Sequence, residues 1–560
     1  MTEKQVKQGQ DSTEGLVFLP LGGTGEIGMN FNLYGLKTGG KESWLAVDCG
    51  IGFSGNDTPE AELLVADPTF ISDRSELLEA IVLTHAHEDH LGAIVHLWPS
   101  LKCPIYATPF AATVLRRKLG EANLQSQVEI NVVAPASKFK VGPFDLQFIP
   151  VTHSIPEAQA LVLRTPQGIV LHTGDWKLDP NPLVGPVTDL EAFKKLGDEG
   201  VLAMIGDSTN ALKEGGSISE SKVREGLIEA IKNLEGRVAV TCFASNVARV
   251  ESIAKAAEAA GRDVMIVGRS LKNLDNAARE CGYLQDIPAF LTEDDADKTD
   301  LNKVVMMITG SQGEARAALS RVAAETHNSV SLHENDTVIY SSRIIPGNER
   351  AVAAVQDQFR RRGINVITDR DAVVHTSGHA TSEDIRHLYS LVRPKYSVPT
   401  HGEWRHMNAH AAIAHAQGSE VLLLEDGDVL GLGPGKIEVV DTVPTGRMAL
   451  DAGRLLPMTG KVLAERRRML YNGTVLASFA VDDEGYVIGD PRITAPGLLE
   501  EEAPETSQIQ QQFAAALDQI PDELRKDDQT FQNAARTALR RALGRKLRKR
   551  PHVDVHLLRV

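Results

Sequence analysis

Short apolar runs, broken by Gly and Asp turns, recur from about Gly15 to Asn210. Leu16–Leu21, Phe31–Leu36, Trp44–Val47, Ala80–Leu83, Pro104–Ala107, Leu146–Pro150, Ala160–Arg164, Gly168–His172 and Leu202–Gly206 read as strands. So many strands so close together predict an α/β sandwich and not a simple wound sheet. The texture changes from about Ser217 to Asp369. Helical stretches such as Ser221–Leu234 and Asn246–Ala260 alternate there with apolar Val238–Cys242, Val264–Val267, Val304–Thr309, Thr337–Ser341 and Asn365–Ile367, a parallel βα layout. The earlier style returns at Ala372–His379, with Ala372–Val374 read as a strand and a loop after it, and at Tyr396–His401, so the βα unit is predicted to be an insertion. The predicted division is a disordered tail (1–14), a sandwich domain in two parts (15–215 and 370–440), an inserted α/β domain (216–369), a linker (441–459) and a small α+β C-terminal domain (460–560).

Composition changes this picture only at a few points. The polar start, Met1 to Glu14, has no apolar core and is not a secretory signal. No apolar run approaches the length of a membrane span. Cys49, Cys103, Cys242 and Cys281 are scattered without a C-x-x-C pair and read as free thiols in a reducing compartment, which predicts the cytoplasm. The net charge of -16 taken alone argues against a nucleic-acid partner. A basic run near the end (Arg536, Arg540, Arg541, Arg545, Lys546, Arg548, Lys549, Arg550) could nonetheless touch phosphates, or be a solvated helix face or an intersubunit contact.

The densest chemistry is His85-Ala86-His87-Glu88-Asp89-His90, directly after the apolar run Ile81–Leu83 and Thr84. Two histidines two apart in an extended loop project the same way and can grip one cation; Asp89 and His90 can grip a second. His153, Asp175 and His401 each follow another strand, where sheet proteins collect their chemistry. The expected coordination is His85, His87 and His153 on one metal, Asp89, His90 and His401 on a second, and Asp175 bridging. A hydroxide shared by the two metals would be the nucleophile towards a phosphoryl or acyl centre. Asp48 either orients ligand histidines from behind or caps an Asp-Cys-Gly turn.

The His-x-His-x-Asp-His loop, with Asp48 before it and His153 and Asp175 after, resembles the metallo-β-lactamase superfamily. The long gap between Asp175 and His401 resembles the β-CASP branch of nucleases, whose further motifs have counterparts in Asp207, His379 and His401. Gly22–Asn30 (GGTGEIGMN), Thr309–Glu314 (TGSQGE), Ser342–Glu349 (SRIIPGNE) and His375–His379 (HTSGH) are similar to segments of the bacterial ribonuclease J family. The resemblance covers about residues 15 to 450 strongly and the remainder more loosely. It implies a metallo-β-lactamase αββα sandwich with an inserted β-CASP domain.

It also implies a zinc-dependent ribonuclease with two Zn2+ per subunit, Mn2+ or Mg2+ being alternatives. Its partner would be single-stranded RNA, preferentially with a 5′-monophosphate, cut by 5′-to-3′ exonuclease and by endonuclease action in RNA processing and decay. The chain would form a homodimer or homotetramer through its C-terminal unit, with RNA-decay proteins as further partners. Asp175, Asp207, Asp48 and His379 would be the catalytic set, His379 stabilising or protonating the departing 3′-oxygen. His375, Thr376, Ser377, Gly378 and His379 offer imidazoles, hydroxyls and backbone N–H groups suited to a nucleotide phosphate. Ala244, Ser245 and Asn246, between a strand and a helix, would either bind the terminal phosphate or cap the helix. The remaining readings are an acyl or thioester hydrolase on the same metals and a catalytically idle RNA-binding scaffold.

Two patterns are expected to be decoys. Gly23-x-Gly25-x-x-Gly28 has the letters of a dinucleotide fingerprint, but a strand-like segment follows it where a helix is required. His406 and His410 have i, i+4 spacing without the Glu of a zincin and read as a polar helix face.

Overall fold

The computed structural model describes residues 15–53, 58, 61, 63–500, 503–544, 547 and 549–560. The expected tail, 1–14, lies outside the described residues, as do Arg545, Lys546 and Arg548 of the basic run. The chain divides near Met448 into two compact units. Among the described residues no helix is long and apolar enough to cross a membrane.

Two sheets of the first unit bury their apolar faces against each other. One has the spatial order Glu438–Thr442, Asp428–Gly431, Gly15–Gly22, Phe31–Thr38, Lys41–Val47, Leu78–Val82, Ile105–Ala107, Ile130–Val132. The other runs Lys138–Val141, Phe144–Pro150, Gln159–Thr165, Gly168–His172, Ala203–Asp207, Tyr396–Thr400, Glu420–Val421. Leu16, Phe18, Tyr34, Leu45 and Val82 of the first sheet meet Phe148, Leu161, Leu163, Ile205 and Val398 of the second in one core. The outer face of the second sheet (Ile149, Val162, Leu171, Met204) is covered by Phe193, Ile385, Leu388, Tyr389 and Ile413 of the helices Leu190–Glu199, Ser382–Val392 and Trp404–Ala416. The helix Pro109–Glu121 packs on the edge strands of the first sheet. The layering is helix, sheet, sheet, helix.

The inserted segment forms its own six-stranded parallel sheet, ordered Leu291–Thr292, Asp263–Val267, Val304–Ile308, Val238–Thr241, Thr337–Tyr340, Asn365–Ile367. Its strands are apolar on both faces because helices flank it, as buried parallel sheets require. Tyr283 donates to Glu157 Oε1 at 3.1 Å and Arg117 pairs with Glu280 at 2.6 Å, tying the insertion to the sandwich. The second unit has a sheet of Val487–Thr494, Thr474–Val481 and His552–Arg559 with the helices Pro504–Asp518 and Asp528–Gly544 over it. In that unit Arg536 of the basic run pairs with Asp554 at 3.0 Å.

Two expectations change. Ala372–Val374 is not a strand. The Val374 carbonyl accepts from the Ser341 hydroxyl at 2.7 Å and the Arg249 guanidinium at 3.3 Å, so side chains take the place of a ladder partner. The 441–459 stretch carries strand structure, Glu438–Thr442, Arg447–Asp451 and Arg454–Pro457, where a plain linker was expected. Glu438–Thr442 pairs with Asp428–Gly431 despite being exposed along its length, so backbone pairing and not burial forms it.

Candidate metal centre

Gly168–His172, Ala203–Asp207 and Tyr396–Thr400 are parallel neighbours in register, so Asp175, Asp207 and His401 emerge along one sheet edge. Facing them, Lys41–Val47 and Leu78–Val82 end together and deliver Asp48 and the His85–His90 loop. The loop turns into a short helix, Glu88–Leu91, that lifts Asp89 and His90 towards Asp175. Gly50 allows this turn to close: a Cβ there would lie 1.7 Å from the Asp89 carbonyl oxygen.

Among the described residues three donor sets share Asp175: the two expected ones, and a third of Asp175, Asp207, His379 and His401 that overlaps the second. Ligand-type atoms of His85, His87, His153 and Asp175 lie within 4.8 Å of one another, as do those of Asp89, His90, Asp175 and His401. In the first set His87 Nδ1 is 3.0 Å from both His85 Nε2 and His153 Nε2, and those two are each 3.8 Å from Asp175 Oδ2. In the second, His90 Nε2 stands 3.1 Å from Asp175 Oδ2, His401 Nε2 stands 3.2 Å from Asp89 Oδ2, and His401 Nδ1 stands 3.2 Å from Asp175 Oδ1.

The far sides of the rings show which way their inner lone pairs face. The Thr84 hydroxyl donates to Asp48 Oδ2 at 2.8 Å, so at 3.0 Å it accepts from His85 Nδ1–H. His153 Nδ1–H donates to the Gly378 carbonyl at 2.7 Å, and His90 Nδ1–H to Asp48 Oδ2 at 2.7 Å. In the neutral rings, each Nε2 therefore presents a lone pair to the cluster. Lone pairs facing one another in a buried site are unfavourable unless a proton or a cation sits between them, and a single His87 Nδ1–H can serve only one of the two Nε2 atoms beside it. Ligands about 2.0–2.1 Å from zinc stand roughly 3.3 Å apart in a tetrahedron, a value inside the 3.0–3.8 Å spacings seen here. The residues fit a metal, and the buried cluster suits metal binding.

Electrostatics separate the two sets. Burial, with neighbouring imidazoles adding to it, holds His85 and His153 well below the usual histidine range and His87 at about 4. These rings stay neutral, as ligands must. Burial also opposes charge on His90 and His401, but the carboxylates outweigh it. Asp175, Asp89 and Asp48 hold His90 well above its ordinary value, and Asp175 and Asp207 with Asp89 raise His401 to about 10. Protons therefore compete with a cation on the second set.

Asp48 sits in the left-handed region (φ 64°) and accepts from the Thr84 N–H, the Thr84 hydroxyl and His90, so its carboxylate holds the His90 ring as well as the start of the loop. Asp207 accepts from His379 Nδ1 at 2.8 Å. Burial works against charge on His379, yet Asp207 and Asp175 raise it above the usual histidine range. Its Nε2–H is then free to donate.

The HTSGH residues divide in role. Thr376 is buried and gives its hydroxyl to the Ile218 carbonyl, so it is spent inside the protein. Ser377 Oγ accepts from His379 N–H at 3.3 Å, bracing the loop. Gly378 supplies the carbonyl that orients His153, and a Cβ there would meet the His153 ring at 2.7 Å. His375 and His379 each have Nδ1 held within the protein, by Arg249 and Asp207, and Nε2 without a partner among the described residues. Ala244 and Ser245 line a cavity of about 320 Å³ together with Ala86, Glu88, Arg117 and Lys118. Asn246 is buried, and its side chain caps the helix Val247–Ala259 by accepting from Arg249 N–H at 2.9 Å.

The GxGxxG letters precede the strand Phe31–Thr38, as expected of a decoy. His406 and His410 are not a polar surface: both are buried. His410 lies between Ser208 Oγ and Tyr389 OH, 3.0 Å from each, and His406 caps its own helix. Sequence reasoning also missed Asn30, whose amide donates to the Asp89 carbonyl at 3.1 Å beside His90 Nε2. The GGTGEIGMN segment was the available signal, since it ends on this residue.

Four family models match the chain. "Beta-lactamase superfamily domain" matches residues 43–193, and "Ribonuclease J, beta-CASP domain" matches 235–359. "Zn-dependent metallo-hydrolase RNA specificity domain" matches 347–424, and "Ribonuclease J C-terminal domain" matches 461–560. A curated protein of Sinorhizobium meliloti named Ribonuclease J is 42% identical over 552 residues, covering 98% of each chain. One of the same name from Mycolicibacterium smegmatis is 38% identical over 96% of each chain. A crystal structure of a protein of unknown function from Enterococcus faecalis aligns with TM-score 0.53 at 17% identity, covering 75% of this chain and all of that one, and shares the fold.

Proposed function

The chain belongs to the ribonuclease J family, hydrolytic ribonucleases of the zinc-dependent metallo-β-lactamase superfamily, and on that premise we propose that it cleaves RNA with two zinc ions per subunit, stepwise from 5′-monophosphorylated ends and also internally. One observation carries the reading: two inward-facing donor sets share Asp175, and the His379–Asp207 pair stands at their edge. The residues we assign to the first ion are His85, His87 and His153, to the second Asp89, His90 and His401, with Asp175 common to both. Bound there, the ions would supply an activated water and polarise the phosphoryl oxygen.

The remaining work belongs to the chain. Asp48 and the Gly378 carbonyl fix ring orientation, so the ligand set is held before substrate arrives. Asp207 keeps a proton on His379 Nδ1, which leaves Nε2–H to protonate the departing 3′-oxygen. His375 and the Ala244–Ser245 turn hold phosphates on the RNA side. Fixing the terminal phosphate sets which bond reaches the cluster, and that produces stepwise cutting. We further assign the chain to the cytoplasm, with self-association through residues 460–560 and with RNA-decay proteins as partners.

The test is mononucleotide release from matched RNAs bearing a 5′-monophosphate or a 5′-triphosphate. Rapid release from the first and slow release from the second is expected. Equal slow cutting of both removes the terminal-phosphate argument, and turnover of a small thioester with RNA untouched replaces the reading with an acyl hydrolase.

A further inference from the structure

Arg249 is the largest fully buried side chain among the described residues. Taking a guanidinium out of water costs several kcal/mol, and a buried ion pair seldom repays it against apolar packing of the same volume. Its contacts show what it holds. Arg249 Nε and Nη2 meet the two Glu220 carboxylate oxygens at 2.6 and 3.2 Å. Arg249 Nη1 lies 2.6 Å from the Ser341 carbonyl, 2.9 Å from Ser341 Oγ, 3.3 Å from the Val374 carbonyl and 3.2 Å from His375 Nδ1. Its own backbone N–H is the one capped by Asn246. Glu220 in turn gives its backbone N–H to Asp179 Oδ2 at 2.8 Å, and Asp179 pairs with Lys177 at 3.0 Å.

One side chain thus joins the Ala244–Asn246 turn, the start of the HTSGH loop and the segment that follows Asp175. Only one of these contacts selects a chemical state. A guanidinium has donors and no acceptor, so His375 Nδ1 must be the acceptor and carry no proton. In the neutral ring the proton is then on Nε2, which has no partner among the described residues; His375 is half-buried, with Nδ1 on the inner side.

We propose that Arg249, braced by Glu220, is a positioning residue that fixes His375 as a neutral Nε2–H donor to a phosphate of the RNA. The proposal rests on the ribonuclease reading above and adds which ring nitrogen meets the substrate and what sets it. Burial first, and then the Arg249, Lys213, Arg343 and Lys177 cations, keep His375 well below the usual histidine range, which agrees with an uncharged ring. A neutral donor binds a phosphate oxygen without the cost of burying a further charge beside the guanidinium.

The experiment is a double-mutant cycle on the full-length, metal-loaded protein with 5′-monophosphorylated RNA. Arg249→Lys, His375→Ala and the pair together are compared by KM, kcat and melting temperature. Arg249→Lys keeps the charge but cannot span Glu220, Ser341 and His375 at once. Each single change is expected to raise KM about tenfold, the worth of one hydrogen bond to a charged group, with kcat changed far less. The pair is expected to be no worse than His375→Ala alone. Multiplied effects in the pair, or an Arg249→Lys protein with wild-type KM, overturn the proposal. Glu220→Gln in the same cycle replaces Arg249→Lys if that variant fails to fold, with the same two outcomes. A wild-type protein that leaves RNA intact defeats the ribonuclease reading itself; an active wild type with an additive cycle defeats only the role of Arg249.

Discussion

The metal cluster and the Arg249 latch are both buried and rich in ionisable groups, yet they are built on opposite plans. Around Arg249 each guanidinium nitrogen meets an acceptor of the protein, from Glu220 to the carbonyls of Ser341 and Val374. Around Asp175, His85, His90 and His153 are satisfied on their outer nitrogens by Thr84, Asp48 and Gly378, while the inner nitrogens of His85 and His153 face His87 and that of His90 faces Asp175. A network complete in itself fixes a shape. A network complete on the outside and incomplete on the inside is a socket. The difference lies in the direction of the lone pairs rather than in burial or charge count.

The largest break in the comparison comes from the one group both halves of the socket share. Asp175→Ala should lower RNA cleavage by about a thousandfold or more, together with loss of bound metal measured by elemental analysis. Normal cleavage with the metal gone would mean that the socket is not the catalytic centre.

Next in size is the latch. Arg249→Met strands Glu220 in the interior and should cost about 3–5 kcal/mol in denaturant unfolding, whereas Arg249→Met with Glu220→Leu should recover most of that stability. The metal cluster should show no such apolar rescue. If the double replacement restores tight RNA binding as well as stability, the latch is packing alone.

Asp48→Asn sharpens the comparison further, since it weakens only the outer satisfaction of the socket. Metal affinity, read by competition with a chromophoric chelator, should fall by about 10- to 100-fold while the protein stays folded. An unchanged affinity would return Asp48 to the role of a turn cap.

The smallest effect concerns a buried carboxyl that follows neither plan. Asp426 is pushed up to about 7, first by burial and then by the neighbouring Glu26 carboxylate. Its unfolded value is about 3.9. Between those values the folded protein keeps a proton that the unfolded chain has lost, so stability falls as pH rises through the window. Asp426→Asn cannot ionise and should lose less stability between pH 5 and pH 8, by on the order of 1–2 kcal/mol. Parallel melting curves for wild type and variant would show that this carboxyl ionises freely in the fold.

These contrasts also explain what could be read from the chain. The His85–His90 loop was legible because its donors are packed onto one strand end, and Asp175, His153 and His401 because each follows a clear apolar run. The sandwich and the inserted βα unit were legible from the same alternation. Partners that act through their backbone left no such mark: the Gly378 carbonyl reaches His153 across 225 residues, and no pattern of letters points to it. Arg249 reads as one more charge on a helix until the fold wraps it. Ala372–Val374 looked like a strand because apolar letters record burial, whereas strand identity needs a backbone partner, and side chains had taken that place. Thr376 seemed a phosphate donor for the same kind of reason, since its hydroxyl points inward to Ile218.

The account stands or falls on a titration. Protein stripped of metal is given Zn2+ in steps while cleavage of a 5′-monophosphorylated RNA is followed at each addition. Activity should be absent in chelator, rise with added ion and level off at two equivalents per chain. Full activity in chelator, or a plateau reached without any ion bound, would contradict it.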